Sequence, residues 1–201
     1  PRNLSIAATE TGAKMVHIST DYVFSGDGTR PYTEFDPVGP KAMYGITKLA
    51  GENFVKEFAK DYFIIRTAWL YGDGKNFIKT MLRLAETNEM VRVVNDQFGS
   101  PTYTADLAVL LCDMVETNRY GIYHATNEGG YISWYDFACE IFRQAGYDTK
   151  VTPVTTAEYG LSKAARPFNS RLDKSKLKEN GFEPLPDWKN ALERYLKNDG
   201  E

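Results

Sequence analysis

Tyr44 and Lys48 stand four residues apart in Met43-Tyr44-Gly45-Ile46-Thr47-Lys48-Leu49-Ala50-Gly51-Glu52. Apolar residues follow at helical spacing (Ile46, Ala50, Phe54, Phe58). Positions i and i+4 of a helix share a face, so the phenol and the ammonium project together. A cation beside a phenol favours the phenolate and draws its pKa from about 10 toward neutrality. A tyrosine so tuned can protonate an alkoxide as it forms, or take a proton from an alcohol. Taken alone, the pair reads more simply as a half-buried tyrosine and a solvated lysine at a helix start.

A second stretch changes that balance. Lys14-Met15-Val16-His17-Ile18 has the apolar, β-compatible character of a short buried strand, and Ser19-Thr20-Asp21 follows it directly. Open α/β sheets bind ligands at the carboxyl ends of their strands, where a hydroxyl could hold a carbonyl oxygen beside the tyrosine. The bland alternative is a turn, which all three residue types favour.

The elements that would position these groups follow in order. Ser25 to Pro40, rich in Gly and Pro, reads as a loop, either a lid or a connector. A helix is predicted from Tyr44 to about Ala59 and a buried strand over Tyr62–Thr67, joined by a right-handed crossover. Trp69 comes next, again at a carboxyl end, either as a stacking platform or as a core aromatic. A helix over Asn76–Thr87, a strand over Val91–Val94 and a loop over Gln97–Tyr103 are expected. Thr104 then caps a helix that holds Asp106 in its first turn. Gly121–Asn127 reads as a strand, and Ser133 opens a capped helix that Gly146 ends. Val151–Thr156 is β-like, Ala165–Asp173 irregular, and short amphipathic helices are expected over Lys174–Asn180 and Asp187–Lys197.

Three stretches, Ile18-Ser19-Thr20-Asp21-Tyr22-Val23-Phe24, Tyr44 to Glu52 and Arg66-Thr67-Ala68-Trp69-Leu70-Tyr71-Gly72, together resemble the extended short-chain dehydrogenase/reductase superfamily. Asp96–Thr102 and Ala165–Asp173 extend the likeness nearly end to end and narrow it to the dTDP-4-dehydrorhamnose reductase group. The resemblance implies reduction of the 4-keto group of a dTDP-6-deoxy-4-ketohexose with NADPH or NADH. It implies Thr20, Tyr44 and Lys48 as catalytic residues, Ser19, Tyr44 and Lys48 at the cofactor, and Thr20, Asp21, Trp69 and Arg166 at the dTDP-sugar. Arg166 and Arg171 could hold a pyrophosphate, since guanidinium forks match phosphate oxygens. Dehydratases of the same superfamily place an Asp-Glu pair after the threonine, whereas Tyr22 follows Asp21 here. A non-catalytic alternative also stays open, because the regulatory subunit of methionine adenosyltransferase resembles these reductases.

The 201 residues, 42% of them hydrophobic, can bury a substantial core, and a net charge of −3 spread along the chain carries no nucleic-acid or membrane footprint. No apolar run approaches transmembrane length, so the cytoplasm is the default compartment, and a homodimer is compatible with the resemblance. Cys112 and Cys139 match no metal or redox spacing and are expected as buried free thiols. His17 and His124 are expected as satisfied structural histidines, with no metal site. No Gly-rich phosphate loop joins a strand to a helix, so the chain reads as the carboxyl-terminal two-thirds of an enzyme. The fold expected is α/β: the later part of a Rossmann-type doubly wound parallel sheet with a smaller α+β substrate-binding lobe. The division expected is 1–125 for the dinucleotide-binding domain, with about 69–84 dipping into the lobe, and 126–201 for the lobe.

Overall fold

The computed structural model describes residues 1–160 and 166–198. Ala165, which opens the last of the resembling stretches, lies outside them, as does the end of the expected second unit. In chain order the elements are α1 (Arg2–Thr11), β1 (Met15–Thr20), a 3-10 turn (Asp21–Val23), α2 (Met43–Phe58), β2 (Tyr62–Thr67) and β3 (Leu70–Tyr71). Next come α3 (Phe77–Ala85), β4 (Met90–Val94), β5 (Phe98–Gly99), β6 (Thr102–Tyr103), α4 (Thr104–Val115) and β7 (Gly121–His124). The chain continues through β8 (Ile132–Ser133), α5 (Trp134–Ala145), β9 (Lys150–Val154), α6 (Thr156–Tyr159), α7 (Ser175–Glu179) and α8 (Trp188–Asn198).

Strands β1, β2 and β7 form a parallel sheet in that order, with Ser19 opposite Arg66 and Thr20 opposite Thr67. Alternation along the strands sends Phe63 and Ile65 into one core with Leu107, Leu110 and Met114 of α4. Ile64 turns the other way, against Val55 and Ala59 at the end of α2. Because both faces are covered by helices, β2 reads as a near-continuous apolar run, as buried parallel strands do.

A second core is more aromatic: Tyr71, Tyr103, Phe137, Trp188 and Tyr195 pack with Ile78, Met81, Val91, Val93 and Ile141. Here β4 pairs in parallel with β9. The packing does not divide at residue 125. Residues 71–103 build the second core, while Leu177, Phe182 and Leu185 return to the first. Sequence order misleads because the chain crosses between the two cores more than once.

Several local expectations are revised. The Gln97–Tyr103 loop contains β5 and β6, each two residues long. Thr104 is the first residue of α4 rather than its cap, and Tyr103 takes the N-cap position without a side-chain bond. The Thr104 hydroxyl instead packs against Gly72, 2.0 Å from where a Cβ there would lie. Ser133 and Asp136 form the reciprocal capping box expected of α5, and Gly146 takes its C-cap. Cys112 is exposed and Cys139 only half-buried, because Cys112 falls on the outward stripe of α4 with Ala105, Ala108 and Val109. No helix among the described residues is long and apolar enough to cross a membrane.

Candidate active site

The 3-10 turn after β1 and the start of α2 meet closely. A Cβ on Gly45 would lie 2.1 Å from the Tyr22 carbonyl oxygen, so only glycine allows this approach. The contact sets the first turn of α2 beside the end of β1. A cleft of about 650 Å³ opens there, lined by Ser19, Thr20, Asp21, Tyr44, Lys48, Thr67, Trp69, Trp134 and Arg166 among others. Every residue that the resemblance assigns to catalysis, cofactor or sugar thus lines one cavity, while Arg171 does not. A larger surface depression of about 740 Å³, between the ends of α5 and α8, holds none of these groups.

Tyr44 is half exposed to the cleft, its ring edge-on to Tyr22 at 5.3 Å. Lys48 donates to the Ile18 carbonyl at 2.5 Å, which pins its ammonium at the end of β1 and leaves two protons free. Burial holds the lysine below its ordinary pKa, opposed by the Glu52 charge. Thr20 is buried; its hydroxyl donates to Asp21 Oδ1 at 2.9 Å and accepts from the Tyr22 amide at 3.2 Å. Asp21 is buried too, and its Oδ2 has no hydrogen-bond partner. Burial pushes the Asp21 carboxyl up to about 6, against the hydroxyls of Ser170 and Thr20.

The opposite wall is aromatic. Trp69 stacks on Trp134 with ring centroids 3.7 Å apart, and Phe77 packs on Trp134 at 4.6 Å. Trp69 adopts φ 48°, a left-handed conformation that costs an L-residue roughly 1–2 kcal/mol. Its ring lies over Gly99, where a Cβ would come within 2.8 Å of the indole. Trp69 packs against both the aromatic core and the Phe24 cluster, as the core reading expects, and it also lines the cleft.

Other assignments divide. Arg166 is exposed at the cleft and also lines a smaller adjoining pocket of about 150 Å³ with Tyr22, Lys41 and Phe168. Arg171 does not line the cleft: it donates to Asn169 Oδ1 at 2.7 Å and to the Thr29 carbonyl at 2.9 Å, strapping the Ser25–Pro40 loop. Ser19 lines the cleft, but its hydroxyl donates to Glu52 Oε1 at 2.5 Å. Both histidines stay apart from this chemistry, yet neither is fully satisfied, since each leaves Nε2 without a partner. His124, fully buried, is held down to about 3 by burial and then by the Arg66 charge. Among the described residues no group of three or more His, Cys, Asp or Glu could hold a metal ion.

Sequence reasoning missed Trp134, Ser170 and the Glu52–Arg66 pair. Trp134 was hidden by its place in a capping box. Glu52, four residues past Lys48, carried a spacing signal that went unused.

Comparison with known proteins follows the same lines. The family described as RmlD substrate binding domain matches residues 1–200. The spore coat polysaccharide biosynthesis protein SpsK of Bacillus subtilis is 48% identical over 194 residues, 96% of this chain and 67% of its own. A dTDP-4-dehydrorhamnose reductase of Streptomyces griseus is 47% identical, covering 96% and 65%. The crystal structure of a dTDP-4-dehydrorhamnose reductase from Bacillus anthracis in complex with NADP superposes with a TM-score of 0.91 at 47% identity, over 98% of this chain and 69% of that one. The chain spans about two thirds of the length of these relatives. With the same α/β architecture and a match over nearly its whole length, the chain belongs to the RmlD substrate-binding domain family, alongside relatives that are dTDP-4-dehydrorhamnose reductases.

Proposed function

We propose that this chain carries the proton-donating and sugar-binding part of an NAD(P)H-dependent reductase that converts dTDP-4-dehydrorhamnose to dTDP-L-rhamnose. The observation that carries the reading is the convergence of Thr20, Tyr44 and Lys48 on one cleft at the carboxyl ends of β1 and β2. A nicotinamide cofactor suits this donor set, because Lys48 keeps two free protons for ribose hydroxyls while anchored to β1. When bound, the reduced nicotinamide supplies hydride to the C4 carbonyl. The protein's part is the proton and its placement. Thr20 holds the carbonyl oxygen once its hydroxyl turns from Asp21 to the substrate, Tyr44 delivers the proton to it, and Lys48 stabilises the phenolate left behind. Asp21, which lines the cleft, takes a sugar hydroxyl, and the Trp69–Trp134 wall packs against the ring. Arg166, which lines the cleft, takes the diphosphate. Tyr22 in place of a Glu after Asp21 favours reduction over elimination. The names of the relatives favour a reductase over a regulatory subunit.

The test is NADPH and NADH consumption by the full-length protein with dTDP-4-dehydro-6-deoxy-L-mannose, with the product identified as dTDP-L-rhamnose. Absence of turnover with either cofactor rejects the reading.

A further inference from the structure

Glu52 lies four residues past Lys48 and eight past Tyr44, on the same stripe of α2. It is fully buried, and so is Arg66 beneath it. Ser19 Oγ donates to Glu52 Oε1 at 2.5 Å, Arg66 Nε donates to the same oxygen at 2.9 Å, and Arg66 Nη2 donates to Oε2 at 2.7 Å. Ser19 and Arg66 are register partners across β1 and β2, so one carboxylate is gripped by two adjacent strands at once. The Arg66 guanidinium also lies over the Phe24 ring at 5.0 Å, beside the turn that carries Asp21.

The Gly45 approach to Tyr22, the Lys48 bond to the Ile18 carbonyl and Leu49 beside the Phe24 cluster seat the first turns of α2, and Glu52 is the charged anchor of the turn that follows. The apolar contacts of α2 with the sheet, Val55 and Ala59 on Ile64, sit at its far end. Apolar burial is non-directional and tolerates small rotations, whereas a bidentate, charge-assisted pair has a definite geometry. Buried ion pairs are also a poor source of stability compared with apolar residues of similar volume. What this one adds is direction.

We infer that Glu52, gripped by Ser19 and Arg66, is a positioning residue that sets the rotation and axial placement of α2, so that Tyr44 and Lys48 face Thr20. The inference rests on the proposed reduction, since it takes Tyr44 as the proton donor. Glu52 touches neither substrate nor cofactor; it acts through the helix. Ser19, assigned from sequence to the cofactor, here serves the grip through its hydroxyl.

The experiment uses the full-length protein and two variants. Glu52→Leu/Arg66→Met removes both charges at similar volume, and Ser19→Ala removes one hydrogen bond. Each is measured for kcat and KM with NADPH and dTDP-4-dehydrorhamnose, for Tm, and for amide exchange over residues 43–50. A misplacement near 1 Å is worth about 100-fold in rate. The double variant should therefore lose about 30- to 100-fold in kcat with substrate KM within about threefold, while its Tm stays near wild type and exchange over 43–50 quickens. A double variant with wild-type Tm and kcat would overturn the inference. Should the double variant fail to fold, Ser19→Ala decides: kcat down about fivefold at unchanged Tm supports the inference, and unchanged kcat overturns it. Should the unmodified protein show no turnover, the reduction reading fails by itself. The grip is then judged on exchange alone, quickened over 43–50 in support and unchanged against.

Discussion

On one side of the cleft, Thr20, Tyr44 and Lys48 are carried by a strand and a helix whose relation is fixed by parallel pairing and a buried carboxylate. On the other, Trp69 and Trp134 are carried by a left-handed residue, a two-residue strand and a helix start, held by aromatic stacking. The first wall belongs to the three-stranded sheet; the second opens onto the aromatic core. On the proposed reading, the difference teaches that bond-making and recognition are built on separate walls. Changes to the first wall should act on kcat, and changes to the second on KM.

The largest expected effect is Tyr44→Phe. Loss of the proton donor should lower kcat by about 10² to 10⁴. Because Tyr44 is half exposed, Tm should be unmoved. A loss under about threefold would take the proton away from Tyr44 and erase the contrast between the walls.

Asp21→Asn probes the floor between them. The folded carboxyl titrates near 6, above its ordinary 3.8, so the fold favours the protonated form. Its stabilising contribution is therefore present below about pH 4 and is lost as pH rises through 6. Two pKa units correspond to about 3 kcal/mol. The Asn variant should accordingly match wild type in Tm at pH 4 and exceed it at pH 8 by about 6–12 °C, given a shift of about 2–4 °C per kcal/mol. A difference in Tm that does not vary with pH would show that Asp21 is not buried as an acid.

Trp134→Leu removes the stacking partner of Trp69 without touching the proton donors. An aromatic pair is worth about 0.5–1.5 kcal/mol beyond area, so substrate KM should rise about 2- to 10-fold with kcat nearly unchanged. A fall in kcat of the same size would mean that the aromatic wall also aligns the reacting carbonyl.

How much of this was legible follows the same division. β2 was readable to the residue as Tyr62–Thr67, and α2 nearly so, because period and burial agree along them. The stretches from Ser19 to Lys48 that line the cleft were marked by chemistry and spacing, while the roles of Asp21 and Trp69 came mainly from the family resemblance. Trp134 could not be seen, since its 65-residue separation from Trp69 leaves no local trace. Nor could the fate of Arg171, whose partners Asn169 and Thr29 are chosen by how the Ser25–Pro40 loop folds back. The interleaving of the cores was hidden for the same reason: periodicity reports which face of an element is apolar, not which core receives it.

The smallest effect concerns a residue on neither wall. Cys112→Ser, on the outward face of α4, should change stability by no more than about 0.5 kcal/mol. In the unmodified protein Cys112 should react with a thiol reagent well before Cys139. Equal rates would place both thiols in the same environment.

The strap over the Ser25–Pro40 loop has a consequence in time. Tyr32 donates to the Arg171 carbonyl, Asp173 donates to Tyr32, and Asn169 Nδ2 reaches the Arg30 carbonyl across 139 residues of chain. A ribosome adding about 5–20 residues per second needs roughly 7 to 28 s to supply that partner. Within this interval α2, β2 and β7 are synthesised in turn, while the loop beside them holds only its local bonds, such as Gly39 to the Val23 carbonyl and Arg30 to Asp36. Loop-closure cost grows only slowly with length, so the delay is kinetic rather than thermodynamic. The nascent chain therefore carries the strand and helix of its first wall before the segment that encloses them, and until then the Phe24–Tyr32 stack lacks the cover of Leu172.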